Sequence, residues 1–236
     1  MFTEKTTARK RGRPPGRTPE GDAARRRLYE SALALIAERG YEAATLRDVA
    51  ARAGVSPALL YRYFPSKRSV VLALYDELSE AFAGKTREMP RGRWRDRFIH
   101  TLELSLRVLG PHRVTLRALV PVLVGDAGEG VFAEATASSR VRVQAAFETA
   151  VAGATDVPEA RLAGAAGRML YLIHLGVILW WLLDRSPGQR ATAELVLLFR
   201  KILPAAAVAL RLPPLRGFVL GADALFAEAL AGDPEE

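Results

Sequence analysis

The stretch TLRDVAARAGVSPALLYRYFPSK, residues 45–67, decides the fold of this chain. Its first half places an apolar residue at each position of one helical face: Leu46, Val49, Ala50 and Ala53. Thr45 precedes that face as its N-cap, and Gly54 interrupts it, as a residue that tolerates positive φ would. Ser56 and Pro57 restart the chain as an N-cap and a first helical position. The stretch therefore predicts a helix, a tight turn and a second helix.

This layout is typical of a helix-turn-helix, in which the second helix enters the major groove of DNA. Leu60 and Phe64, four residues apart, give the second helix an apolar face for the core. On its other face, Tyr61 can donate its hydroxyl to a phosphate, and Arg62 can reach a phosphate or a guanine. The alternative is an ordinary corner between two helices, but the charge around the motif favours DNA binding.

Positive charge is concentrated at the N-terminal end of the chain. Residues 1–68 hold 15 Lys and Arg against 7 Asp and Glu, whereas residues 69–236 hold 19 of each. The whole net charge of +8 therefore lies in and before the predicted motif. A polyanionic partner at that end is the simplest explanation, and a tail that only aids solubility is the alternative.

The segment from about Asp22 to Phe82 closely resembles the DNA-binding domain of the TetR (tetracycline-repressor-like) family. The resemblance is carried by RGYEAATLRDVAARAGVS, residues 39–56, and by LLYRYFPSKRSVV, residues 59–71. It implies a DNA-binding domain over 22–84, with the helix-turn-helix at about 45–64. It also implies a larger C-terminal domain over 85–236 that binds an effector and dimerises.

Residues 1–21 form a basic arm that we expect to be disordered, because it is rich in Arg, Pro and Gly. Its Arg11-Gly12-Arg13-Pro14 looks like the core of an AT-hook, which lies in the minor groove. A tail bound loosely to phosphates is the alternative. The predicted DNA contacts in the arm and the motif are Arg11, Arg13, Thr45, Arg47, Ser56, Pro57, Ala58, Leu59, Tyr61, Arg62, Tyr63 and Lys67.

The remainder of the chain predicts helix after helix, so we expect an all-α protein of about nine or ten helices. Apolar patterns predict single helices over 113–124 and 131–152 and a long helix over 158–183. The next helix would end or kink at Pro204. A short final helix is expected near 222–231.

The helix 158–183 is apolar on every side, which predicts that it is buried on every side. A partner subunit would cover one face, and Ile178 is a candidate for that face. The resemblance implies that this helix and 189–211 form a four-helix bundle in a homodimer. The alternative is a core helix of a monomer.

The resemblance also implies a pocket for a small molecule among the middle helices. The candidate lining residues are Trp94, Phe98, His112, Arg117, Tyr171, His174 and Trp181. Each also fits a structural role, since aromatic residues at helical spacing are typical of a core. This composition suggests an apolar, aromatic ligand with one polar or anionic end.

The sequence gives no indication of an enzyme, a cofactor or a metal site. Its three histidines are not spaced as a metal pair, and Gly54-Val55-Ser56-Pro57-Ala58 lacks the strand and final glycine of a nucleophile elbow. No secretory signal is evident, and the apolar run 169–183 is short for a membrane span, so we expect a cytoplasmic, nucleoid-associated protein without a membrane partner.

Two hypotheses follow for the function. The first is a regulator that binds a palindromic operator in double-stranded DNA and is released, as a repressor, by a small hydrophobic effector. The second is a DNA-organising protein that uses the basic arm and needs no effector.

Overall fold

The computed structural model describes residues 19–126 and 128–231. Arg11, Arg13 and the rest of residues 1–18 lie outside the described residues, whereas residues 19–21, expected to belong to the disordered arm, form the first turn of α1 because Pro19 can occupy a helix start. Within the described ranges all regular secondary structure is helical, which confirms the all-α class. There are eleven α-helices in this part of the chain, two of which have only six residues.

The helices in chain order are α1 (Pro19–Arg39), α2 (Leu46–Ala53), α3 (Pro57–Tyr63), α4 (Lys67–Thr86), α5 (Trp94–Leu109), α6 (Arg113–Ala118), α7 (Val120–Gly125), α8 (Ala137–Ala152), α9 (Ala160–Leu183), α10 (Arg190–Ala209) and α11 (Pro213–Ala231). Short 3-10 turns precede α6, α8 and α10.

The expected caps set the ends of the first helices. Thr45 accepts a hydrogen bond from the backbone N–H of Asp48, and Ser56 accepts one from Leu59. Each bond satisfies one of the N–H groups that a helix start leaves without a partner. Gly54 takes the left-handed conformation with φ 66°, which a side chain would strain.

Several helix limits differ from the sequence prediction, and prolines explain two of them. The helix that was expected to end or kink at Pro204 continues through it to Ala209, because Leu203 is buried and the next turn packs on the core. The last helix begins at Pro213 instead of 222, since a first-turn proline needs no N–H partner.

The other two differences lie between α5 and α9. The segment predicted as one helix over 113–124 is divided at Leu119 into α6 and α7, and Pro121 lies in the first turn of α7. The following helix begins at Ala137 instead of 131, after a loop and a 3-10 turn.

Two apolar clusters form the interior. The first joins α1–α4 to α6, α7 and the end of α9, through Trp181 and Leu182. The second joins α5, α8, α9 and α10, and Phe82 at the end of α4 belongs to it. Helix α4 therefore contributes to both clusters and connects the helix-turn-helix to the helical body.

Helices α8 and α9 pack closely where Gly167 of α9 faces the backbone of α8. A Cβ atom at Gly167 would lie 2.7 Å from Cα of Glu148, so any side chain there would push the helices apart.

Helix α9 is also long and apolar enough, with a mean hydropathy of 1.6, to match a membrane span in length and composition. Half of its most apolar window is buried inside the helical body.

Candidate DNA-binding surface and effector cavity

The second helix of the motif, α3, is anchored from beneath by two buried side chains. Leu60 and Phe64 are 1% and 2% exposed. Tyr29 of α1 stacks on Phe64 at 6.3 Å, and the Arg25 guanidinium lies 5.4 Å from the same ring. These contacts fix the orientation of α3, so its opposite face is presented as a rigid surface.

That opposite face carries most of the predicted DNA-contacting side chains. The exposed residues on and beside α3 are Ser56, Pro57, Ala58, Tyr61 and Arg62, while Leu59 and Tyr63 are partly covered. Tyr61 is 55% exposed. Small side chains at the start of a helix allow its backbone to approach a groove, and the hydroxyl and guanidinium that follow suit phosphates and bases.

The cations around the motif fall into two groups. Arg52 and Arg39 pair with Glu38 at 2.7 Å and Asp48 at 3.6 Å. Arg47 and Arg62 are exposed and form no ion pair with the described residues. The second group therefore leaves two positive charges available to an anionic partner.

Two predicted DNA contacts also have roles inside the protein. The hydroxyl of Thr45 donates to the Asp48 carboxylate at 2.7 Å while it accepts the capping bond. Lys67 Nζ donates to the carbonyls of Tyr41 and Glu42 at 2.7 and 3.2 Å and lies 4.5 Å from the Tyr41 ring. Their phosphate contacts stay a prediction.

An apolar cavity of about 150 Å³ lies between α4, α5, α8 and α9. Its apolar wall is formed by Tyr75, Leu78, Phe82, Val108, Leu109, Leu116, Leu123, Val131, Val143, Tyr171, Leu175, Ile178 and Leu182. Its polar lining is formed by Ser79, Ser105, Thr136, Ser139, Arg140 and His174. This balance is typical of a site for an apolar small molecule with few polar groups.

His174 is a buried ionisable group in the cavity wall. Its Nε2 is 2.8 Å from the Ser105 hydroxyl. The centroids of the His174 and Phe147 rings are 4.6 Å apart. Burial lowers the pKa of His174 to about 3, so the imidazole is neutral at pH 7. Among the described residues, its Nδ1 has no hydrogen-bond partner.

Tyr75 presents a second polar atom to the same cavity. Its hydroxyl is buried and without a partner among the described residues, and burial raises its pKa above the ordinary value. Buried polar atoms without partners are uncommon in folded proteins. Two of them on one cavity wall indicate that an occupant with a hydroxyl or carbonyl group could satisfy them.

Two of the seven predicted lining residues, Tyr171 and His174, lie in this cavity. The others lie elsewhere. Phe98 and Trp181 are buried in the two apolar clusters, and Trp94 joins a separate surface groove at the start of α5. His112 borders a groove between α1 and α4, and Arg117 is exposed on α6. Phe98 and Trp181 are core residues because neighbouring apolar side chains bury them completely or almost completely.

The prediction missed Tyr75, Ser105, Ser139 and Arg140 as cavity residues. Tyr75 and Ser105 lie on the buried stripes of α4 and α5. A hydroxyl group on a buried stripe could have identified these two residues in the sequence, since a buried polar group requires a hydrogen-bond partner. Ser139 and Arg140 belong to a helix whose start was predicted six residues too early, which obscured the side they face.

Two contacts connect the loop after α7 to the helices α1–α4, and a third connects α6 to the end of α9. The Tyr41 hydroxyl donates to the buried Glu129 carboxylate, with oxygens 2.7 and 2.8 Å away, and Arg68 donates to Gly128 O at 2.5 Å. Arg113 of α6 donates to the carbonyl of Trp181 at 2.8 Å. The loop after α7 is therefore attached to α1–α4, and the end of α9 is attached to α6.

A stripe of exposed apolar residues runs along α9 and α10. On α9 it comprises Ile173, Trp180 and Leu183, which are 38–52% exposed, and on α10 it comprises Leu197, Leu198 and Ile202, which are 47–51% exposed. We call these six residues the outer stripe. Within a single chain α9 is exposed on this face, which is where a partner subunit was expected, and Ile178 lines the cavity instead of belonging to the outer stripe.

The turn between α9 and α10 is held by Asp184. Its carboxylate accepts hydrogen bonds from the Thr192 hydroxyl at 2.6 Å and the Ser186 hydroxyl at 2.7 Å. These bonds hold the pKa of Asp184 below its ordinary value. The turn thereby fixes the two halves of the outer stripe relative to each other.

The fold and the two sites define the class of the protein: an all-α helix-turn-helix protein with an internal cavity. No group of three or more potential metal ligands lies together in the part of the chain that the structure describes. Residues 28–74 match the family described as bacterial regulatory proteins, tetR family.

Relatives and solved structures are similar to this chain over most of its length. The HTH-type transcriptional repressor KstR of Rhodococcus jostii is 27% identical over 76% of this chain and 82% of its own. The HTH-type transcriptional regulator EthR of Mycolicibacterium smegmatis is 27% identical over 80% of this chain and 88% of its own. A tetR-family regulator from Streptomyces coelicolor has the same fold, with a TM-score of 0.58, 24% identity and 91% coverage of both chains.

The chain therefore contains a domain, residues 28–74, that matches the tetR family, and over most of its length it is similar to transcriptional regulators of that kind.

Proposed function

We propose that the protein is a homodimeric repressor that binds a palindromic operator through α2 and α3 and is released when a small hydrophobic effector fills the cavity. The position of α4 carries this proposal. Tyr75, Leu78 and Phe82 of α4 line the cavity, while the start of the same helix follows α3 after three residues. An occupant of the cavity would therefore contact the helix attached to the DNA-reading element.

Release requires that the effector bind the two states of the protein with different affinity. Changing the population from 1:99 to 99:1 takes a preference of roughly 10⁴-fold. The cavity supports such a preference because its wall includes side chains of both the motif-bearing α4 and the body helices α5, α8 and α9. A shift of α4 against these helices would change the shape of the cavity and the tilt of α3 together.

A dimer supports the reading of a palindrome, because two recognition helices about 34 Å apart reach successive half-sites. The outer stripe supplies an apolar surface for such a dimer, along the two helices in which the family resemblance places it. The repressor function is supported by the similarity to KstR, which is named a transcriptional repressor. The protein would then act in the cytoplasm on chromosomal DNA.

The proposal is tested by recovering genomic fragments bound to the full-length protein and titrating one recovered duplex with a panel of hydrophobic compounds. We expect at least one compound to release the duplex and raise the melting temperature of the protein. Val143→Phe, which fills the cavity, should bind the duplex but lose the release. Val141→Phe, on the exposed side of the same helix, is the matched control.

The effector-independent DNA-organising protein is the alternative outcome of this experiment. It is favoured by the concentration of positive charge in residues 1–68, which contain the basic arm. Binding that is the same for every duplex, unaffected by all compounds and strongly reduced by deletion of residues 1–18 would establish it in place of the repressor.

A further inference from the structure

Arg140 is a partly buried cation on the cavity wall. Its Nη1 donates to the carbonyls of Val131 and Ala133 at 3.2 and 3.1 Å, which leaves Nε and Nη2 as further donors. No carboxylate of the described residues pairs with it. Neighbouring arginines differ, since Arg142 pairs with Asp76 at 2.9 Å and Arg168 with Asp223 at 2.5 Å.

Arg140 also stands where the cavity meets a second space. A groove of about 170 Å³ lies between α8, α9 and α11, and its wall includes Arg140, Tyr171 and the charged pair Arg168 and Asp223. Arg140 and Tyr171 form part of the wall of both spaces. The free side of the guanidinium is therefore placed between an apolar interior and a groove with charged edges.

The charge of Arg140 restricts what can fill the cavity. Arginine stays protonated in proteins, so it cannot lower its desolvation cost by losing a proton. An apolar occupant would remove water from its free N–H groups, and a neutral or cationic one would leave them without a matching acceptor. A carboxylate would satisfy them with two parallel charge-assisted hydrogen bonds.

We propose that the effector is an anionic amphiphile whose carboxylate binds Arg140 at the junction of the two spaces while its apolar body fills the cavity. This inference rests on the proposed function, because it takes the cavity as the effector site. It adds the chemical class of the effector and the residue that selects it. Arg140 acts through its charge and fork geometry, and the apolar wall selects the body.

The test uses the full-length protein and three probes with the same ten-carbon chain: decanoate, 1-decanol and decyltrimethylammonium. Isothermal titration calorimetry at pH 7.5 should show decanoate binding about tenfold or more tighter than 1-decanol, since a charge-assisted pair adds at least this much. The cationic probe should bind more weakly than 1-decanol.

Three variants assign the preference to Arg140. Arg140→Gln should abolish the difference between decanoate and 1-decanol, and Arg140→Lys should keep part of it because the charge remains without the fork. Arg107→Gln, which removes an exposed charge of α5, should behave as the wild type. If Arg140→Gln does not fold because it loses the bonds to Val131 and Ala133, the Lys variant and the wild-type probe series decide.

Equal affinity of the wild type for decanoate and 1-decanol would overturn the inference, and so would unchanged decanoate binding by Arg140→Gln. Binding of none of the three probes would also overturn it. The proposed function fails by a different result, namely that no compound of the hydrophobic panel releases DNA. Release of DNA by neutral compounds alone would support the repressor function and contradict the anionic class of effector.

Discussion

Tyr61 is the half-exposed aromatic residue of α3 and offers the most direct test of the DNA-binding surface. Tyr61→Phe removes only the hydroxyl, and Tyr61→Ala removes the ring as well. A lost hydrogen bond to a phosphate costs about 1.5–3 kcal/mol, which corresponds to an affinity lower by roughly tenfold to a hundredfold. The measurement is fluorescence anisotropy with a recovered duplex.

Both variants should melt at the temperature of the wild type, because the Tyr61 side chain lies outside the core. Wild-type affinity of Tyr61→Phe would remove the hydroxyl from the interface and leave the ring as the contacting group. Wild-type affinity of Tyr61→Ala would exclude the residue from the DNA surface altogether.

His174 makes the stability of the protein depend on pH. The imidazole has a pKa near 6.5 in the unfolded chain and about 3 when folded. Below pH 6.5 the unfolded chain therefore binds a proton that the folded protein does not, and stability falls as the pH falls. We expect a loss of about 2 kcal/mol between pH 7 and pH 5 in urea unfolding.

The control for this effect is His174→Gln, which cannot titrate and should show a smaller slope over the same range. The window between pH 5 and pH 7 lies above the range in which Asp184 and other carboxylates with lowered pKa titrate. An equal slope in the wild type and the variant would show that other groups are responsible.

At the scale of single residues, the sequence predicted the local geometry of α2 and α3 better than the cavity. Cap residues such as Thr45 and Ser56 act on neighbours three positions away, so their geometry is set locally. The cavity brings Ser105 against His174, which is 69 positions distant. Aromatic periodicity also cannot separate Phe98 in the core from Tyr171 at the cavity, because both positions require an apolar ring.

At the scale of helices, α9 has two apolar faces with different surroundings. Ile178 faces the cavity, and Ile173, five residues earlier, lies on the outer stripe. Five residues turn a helix by about 140°, so the two side chains point in different directions. The sequence predicted an apolar helix on all sides, but hydrophobicity alone could not decide which face meets a partner.

The outer stripe predicts the effect of charge on assembly. Ile173→Glu or Leu198→Glu should convert a dimer into a monomer, because the carboxylate would be desolvated in the interface. Light scattering coupled to gel filtration measures the mass. Val114→Glu introduces the same charge at an exposed apolar position of α6 and should stay dimeric.

A dimer that persists in both stripe variants would place the subunit contact on another surface. A wild-type protein that is monomeric at the concentrations used would remove the dimer from the proposed function. Circular dichroism of each variant separates these results from a loss of helical structure.

Pro204 illustrates how packing overrides a local rule. Proline removes one backbone hydrogen bond and usually ends a helix. Helix α10 continues because Leu203 is buried, and Ala207 and Leu210 one and two turns later pack on the second cluster. This stabilisation comes from other helices and was not visible in the local pattern.

At the scale of the whole molecule, Tyr41 and Glu129 join the loop after α1 to the loop after α7. Tyr41→Phe leaves the buried carboxylate without this donor, so we expect the free energy of unfolding to fall by about 1–3 kcal/mol. Urea unfolding followed by circular dichroism measures it. Tyr63→Phe, a partly covered tyrosine with no such bond, is the matched control.

Equal stability of Tyr41→Phe and the wild type would mean that water replaces the hydroxyl at Glu129. Equal losses in Tyr41→Phe and Tyr63→Phe would point to a general effect of removing a hydroxyl. Only a loss confined to Tyr41→Phe supports a specific connection between the two loops.

The placement of Trp181 and Leu182 in the same cluster as α1–α4 has a thermodynamic consequence. We expect that helices α1–α4 cannot unfold on heating while the rest of the chain stays folded. Unfolding of either part would expose the apolar surface that it buries on the other. Scanning calorimetry should show one endotherm whose van't Hoff and calorimetric enthalpies agree. Two separate endotherms would mean that the N-terminal helices and the helical body unfold independently. Binding in the cavity would then have little effect on the helix-turn-helix.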